Sequence, residues 1–194
     1  MASFREITYI VLDEIKASNG DSNVTEDHVI FLANQYRLFL IEQKKLKQGI
    51  DSLSSTNEQT ICLDLEKADA IPGLEYCNDV YLRSIQEIPE VLNEDSIRVN
   101  LVDLFNIRTA FIPKERFGYV GYNSYLRNIL YATLGPDSHL YLNSQNPQFK
   151  YLRKVRVTGI FEDAQKAAEL ACDDSGKKCD IMDMEFPLEA SLIP

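Results

Sequence analysis

Residues 116–163 read RFGYVGYNSYLRNILYATLGPDSHLYLNSQNPQFKYLRKVRVTGIFED, and the fold turns on how this stretch is divided. It carries six of the ten tyrosines and the clearest strand signals of the chain, with no plausible catalytic group. Residues 139–143 and 149–161 are expected to be strands, separated by the turn NSQNP. On the longer one Val155 and Val157 face one way and Lys154 and Arg156 the other, the alternation of a half-buried strand. Upstream, residues 123–134 are predicted as a helix. Asn123 caps it, Leu126, Ile129, Leu130, Thr133 and Leu134 form its buried stripe, and Gly135 and Pro136 end it. Residues 109–113 and 116–120 are predicted as a hairpin through Lys114-Glu115. Strands rich in Tyr, Val, Leu and Ile, with polar tips and no reactive centre, suit a surface that packs against other proteins.

Outward from this stretch, the N-terminal third predicts a helical pair. Ser3 and Glu6 match a capping box, and Phe4, Ile7, Val11 and Ile15 follow at helical spacing until the turn residues Asn19-Gly20-Asp21. Thr25 begins a second helix, with Glu26 and Asp27 in its first turn. Its apolar set is broad: Val29 to Ala33, Tyr36, and Leu38 to Ile41. A helix with one solvated face does not need so many, so it is either central to a core or part of a subunit interface, and the interface is favoured. Residues 51–58 are a polar loop, and 59–65 alternate as a strand with Ile61, Leu63 and Leu65 on one side. Residues 81–85 suit a short strand, and 163–172 a short helix. The expected architecture is α+β in one domain, 1–194. A helical pair spans 1–48, a mainly antiparallel β-rich part with the inserted helix 123–134 spans 59–161, and an acidic helix and tail span 162–194.

A chain of 194 residues can bury one core, and its 45% apolar and 26% charged residues are those of a globular protein. No apolar run approaches the roughly 18–20 residues that span a bilayer. The N-terminus lacks a basic, then apolar, secretory pattern, so the protein is expected to be soluble and made in a cytoplasm. On that ground Cys62, Cys77, Cys172 and Cys179 read as reduced thiols, although two disulfides are possible in principle. They do not match the spacing of a zinc site. The formal charge of −10 disfavours a sequence-reading nucleic-acid module but does not exclude proximity to DNA, and such acidity is common in soluble proteins. Charge is also uneven. Residues 162–189 hold nine acids and three bases, and 150–156 hold four bases and no acid. This suits a head-to-tail contact between copies, or equally a solvated strand beside a solvated helix.

No phosphate loop, dinucleotide fingerprint, metalloprotease motif or nucleophile elbow occurs. A Ser or Cys nucleophile would need His28 or His139 as its base, and both read as surface or capping residues. The acidic pairs Glu94-Asp95, Asp173-Asp174 and Asp180/Asp183 fit no ordered cation loop and read as solvated surface. Aromatic side chains without a basic groove read as core and interface rather than base-stacking groups. No enzyme activity, catalytic residue, cofactor or metal site is expected. The candidate subunit interface comprises Phe31, Tyr36, Leu38, Lys150, Arg153, Lys154 and Arg156.

Six blocks carry a family resemblance: SFREITYIVLDEIK, TEDHVIFLANQYRLFLI, QTICLDL, RFGYVGYNSYLRNILYATLGPDSHLYL, NPQFKYLRKVRVTGIFED and CDIMDMEFPLEA. They run in order over most of the chain, least convincingly across 66–108. In them the chain resembles the virion structural proteins of crAss-like bacteriophages that build rings between portal and tail. The resemblance implies a tail-adaptor-like component, twelvefold around the DNA channel, that docks below the portal and extends the channel to the tail. Its implied partners are further copies of itself, the portal protein, adjacent tail and ring proteins, and packaged double-stranded DNA bound without sequence specificity, with no membrane. It would reside in the virion after assembly in the host cytoplasm. The resemblance implies further helix beyond this chain's C-terminal FPLEASLIP, whose apolar residues suit docking on a neighbour or the loss of a further segment. The alternatives are an assembly scaffold absent from the mature particle and, least favoured, a small carboxylate-based metal hydrolase.

Overall fold

The alternating Ile61, Leu63 and Leu65 do build a strand, and it organises the molecule. In the computed structural model β1 (Gln59–Ala68) buries Ile61 and Leu63 completely. It serves two neighbours in turn. Its residues 59–64 pair with β7 (Lys154–Gly159) and its residues 65–68 with β2 (Tyr81–Ser84), both antiparallel. The remaining strands are β3 (Arg98–Leu101), β4 (Thr109–Phe111), β5 (Leu130–Leu134) and β6 (Leu140–Asn143), giving the order β3-β7-β1-β2-β6-β5-β4. All neighbours are antiparallel except β4 and β5. Thr109 on one edge strand donates its hydroxyl to the Val99 carbonyl on the other. The sheet therefore curls until its edges meet, which protects groups that open edges expose. Leu63, Leu82, Leu142, Val155, Val157 and Phe161 fill the main core.

The helical pair is present as expected. Ser3 and Glu6 form the reciprocal capping box of α1 (Phe4–Ser18): each backbone N–H meets the other's side-chain oxygen, at 3.1 and 3.2 Å. Thr25 caps α2 (Glu26–Gln48) by accepting from the His28 N–H. The pair shares a second core with the end of the sheet. Phe4, Ile30 and Ile41 meet Ile160, Phe186, Leu188 and Ala164 of α4 (Ala164–Glu169), which Asp163 caps. The fold is α+β, a helical pair beside a mainly antiparallel sheet. The structure describes residues 3–18, 23–49, 55–69, 71–73, 81–92, 97–101, 109–120, 124–172 and 181–188. The expected turn at 19–21, the loop 51–54, the cap Asn123, Cys77, Cys179, most of the acidic pairs and the tail beyond 188 lie outside them.

Four expectations are corrected. The second half of the predicted helix 123–134 is strand β5, because Leu130 to Thr133 are buried on both faces between β4 and β6. A strand buried on both sides has no alternation, so its apolar run imitates a helix. Gly135 then serves the β5–β6 turn rather than a helix end. A β-carbon on it would collide with Asp137 and lie 2.5 Å from the Tyr141 ring. The predicted hairpin at 109–120 is instead β4 followed by a helical turn, α3 (Lys114–Phe117), and β4 pairs in parallel with β5. The long strand 149–161 is regular only from Lys154, since Pro147–Tyr151 forms a 3-10 turn. Cys62 and Cys172, read as free thiols, are joined in a disulfide. The Cys62 N–H donates to the Leu170 carbonyl at 2.8 Å, bringing the two α-carbons to 4.9 Å. Compartment rules bear on thiols in general, but only the fold decides which thiols meet.

Tyr141 of β6 is buried and donates its hydroxyl to Asp137 Oδ2 at 2.8 Å. Burial first, then that carboxylate, push its pKa up to about 12 from 10.0. The folded value exceeds the unfolded one, so its contribution is complete below pH ~10 and lost as pH rises towards ~12. Tyr141→Phe should remove that share of the alkaline stability loss. Chemical unfolding at pH 8 and pH 11 checks this, and an unchanged pH slope in the variant would contradict it.

Candidate functional site

Helix α2 is turned inside out along its middle. Residues 30, 34, 37 and 41 fall on one face, and all four side chains are buried, including the polar Asn34 and Arg37. Leu32, Tyr36 and Phe39, on another face, are each 51% exposed, and Phe31 is 57% exposed. The Tyr36 and Phe39 rings stack with centroids 6.3 Å apart. Arg37 makes this rotation possible. Its Nε donates to the Pro187 carbonyl at 2.8 Å, Nη1 to Phe161 at 2.9 Å and Nη2 to Asn57 at 3.4 Å. A guanidinium with three carbonyl acceptors can sit inside; burial lowers its pKa to about 10, so it remains charged at neutral pH.

Beside this helix runs a groove of about 720 Å3, between α2, the segment after β2 and α4. Phe31, Leu38 and Ile88 supply apolar lining, and Glu87, Glu90 and Glu162 make it acidic. Asn34 also lines it, 8% exposed, with its Oδ1 unpartnered among the described residues. Burial raises the pKa of Glu162, and the charges of Glu90 and Glu42 raise it further.

The predicted interface residues thus divide into separate sets. Phe31 and Leu38 line the groove. Tyr36 belongs to the outer strip, together with Leu32 and Phe39, which the sequence did not single out although their spacing of 32, 36 and 39 is helical. Lys150, Arg153 and Lys154 are exposed at the start of β7, and Arg156 is half-buried. Lys154 pairs with Asp64 at 3.5 Å across an exposed surface, an interaction of little energetic weight. Tyr151, between Lys150 and Arg153, stands out at 83% exposed. Its neighbour Phe149 is buried, and nothing in the sequence distinguishes the two aromatic residues.

Among the described residues, the Ser84–His139 contact does not form a nucleophile and base. His139, expected on the surface, is buried because the β5–β6 turn folds it against Ser84. Its Nδ1 lies 2.8 Å from the Ser84 carbonyl, which only accepts, so Nδ1 carries the proton and has no lone pair for the Ser84 hydroxyl. That hydroxyl donates to the Gln86 carbonyl at 2.8 Å and accepts from the Leu140 N–H at 2.9 Å. The arrangement is a saturated structural network. Among the described residues no three His, Cys, Asp or Glu side chains gather as a metal site, and no helix is long and apolar enough to cross a membrane.

Exposed aromatic and charged surfaces on a curled sheet with a helical pair describe a protein that works by contact. The chain belongs to the phage tail ring protein 2 family, structural ring components of the phage particle, whose model matches residues 6–194. It is similar to Ring protein 2 of Bacteroides phage crAss001, with 43% identity over 195 residues covering 99% of this chain and 85% of that protein.

Proposed function

We propose that this chain forms a ring, twelvefold in copy number, in the head-to-tail connector, where it docks below the portal and extends the DNA channel towards the tail. The observation that carries this reading is the outward aromatic strip of α2. Three large apolar side chains at helical spacing, opposite a face that buries Asn34 and Arg37, are exposed among the described residues and form a surface suited to another protein chain. The acidic balance of −10 supports a channel role, since packaged DNA would find few cations to arrest it. Function on this reading is geometric: sealing, positioning and conducting, without a covalent step.

A cryo-EM reconstruction of the portal vertex should show this chain as ring density between portal and tail. Its absence there would overturn the reading in favour of an assembly scaffold. Tyr36→Asp with Phe39→Asp should abolish incorporation while leaving the monomer folded, because central aromatic anchors contribute about 2 kcal/mol or more each. Quantitative mass spectrometry of purified particles reads this. Wild-type copy numbers in the variant would exclude the strip from the interface.

A further inference from the structure

We propose that the acidic groove beside α2 receives a second copy of this chain, whose Tyr151 enters it with Lys150 and Arg153 against the acidic walls. The inference rests on the ring reading and specifies the contact that closes it. The groove demands a particular occupant. Its apolar lining suits an aromatic ring, and its volume of about 720 Å3 is ample for one. The buried Asn34 Oδ1, unpartnered among the described residues, calls for a donor, which a tyrosine hydroxyl or a cation supplies. Glu87, Glu90 and Glu162 have no ion-pair partner among the described residues, and Glu162, whose pKa burial raises and the charges of Glu90 and Glu42 raise further, would gain from an incoming cation.

The start of β7 supplies the complement. The 3-10 turn Pro147–Tyr151 is pinned by buried Phe149, and buried Leu152 follows it, so Tyr151 is presented from a fixed base. An anchor ordered before binding loses little entropy on docking. Lys150 and Arg153 on either side are exposed and unpaired among the described residues. None of Lys150, Tyr151 and Arg153 lines the groove. Knob and groove are different surfaces, so their contact is heterologous, the type that closes into a ring.

Charge exchange tests this. Lys150→Glu with Arg153→Glu, and separately Glu87→Lys with Glu90→Lys, alter exposed side chains and should leave circular dichroism unchanged. Each pair should lower the copies per particle at least tenfold, and the four changes together should restore them to within twofold of wild type. Photocrosslinking from benzoylphenylalanine in place of Tyr151 should join two copies of this chain. Normal incorporation of either pair, no recovery in the fourfold variant, or a crosslink to another particle protein would each overturn the contact while leaving the ring intact. Absence of the wild-type chain from any ring would instead overturn the ring reading, and this contact with it.

Discussion

Arg37→Ala should destabilise the protein by about 4 kcal/mol or more and should also disorganise the assembly surface. The guanidinium is fully buried and bonds three carbonyls from separate parts of the chain: Asn57 before β1, Phe161 after β7, and Pro187 in the last described segment. Truncation orphans all three at about 1–3 kcal/mol each and leaves a cavity. The charge itself does not stabilise the fold. Burial lowers the pKa to about 10 from 12.5, so the charged form is disfavoured in the folded state at neutral pH, and that penalty fades only as pH rises through this window. Arg37 contributes the geometry of its donors. Lysine, a point charge without the planar fork, should therefore recover only part of the loss. Urea unfolding of wild type, Arg37→Ala and Arg37→Lys measures the series. A loss below about 1 kcal/mol for alanine would show that the carbonyls find other donors. Because Arg37 lies opposite the aromatic strip, its bonds also hold the rotation of α2. The alanine variant should consequently enter particles poorly even below its melting temperature.

Cys172→Ser should cost about 2–5 kcal/mol under oxidising conditions. The disulfide to Cys62 spans a sequence separation of 110 residues, a long closure removed from the unfolded ensemble. It also fastens the end of α4 to the middle of β1, beside the Ile61–Ala171 bridge, and α4 forms one wall of the groove. Wild type in dithiothreitol should fall to the stability of the serine variant, and the variant should not respond to the reductant. If oxidised wild type and variant unfold at the same urea concentration, the bond adds nothing to stability.

Much of the fold was legible wherever one face of an element meets water. Ile61 and Leu63 alternate in β1, Val155 and Val157 in β7, and Ser3, Thr25 and Asp163 mark helix starts. Legibility failed where an element has no wet face. Leu130–Leu134 is enclosed on both sides, so its apolar run lost the period that separates strand from helix. The site was legible in part. The broad apolar content of α2 and the basic run at 150–156 were read as contact surfaces; Phe31 and Tyr36 are exposed, and Phe31 and Leu38 line the groove. Tyr151, Leu32, Phe39 and the acidic groove were not singled out.

By itself the sequence determined the α+β class, the helical pair, the central strands and, through long ordered blocks, the family. These depend on local periodicity, capping and chain-long similarity. Only the tertiary structure decided that the sheet curls edge to edge, that Cys62 meets Cys172, and that α2 turns Arg37 inward and its aromatics outward. Each of those depends on partners far away in the chain. The three carbonyls that accept from Arg37 lie 20, 124 and 150 residues away, beyond the reach of any local pattern.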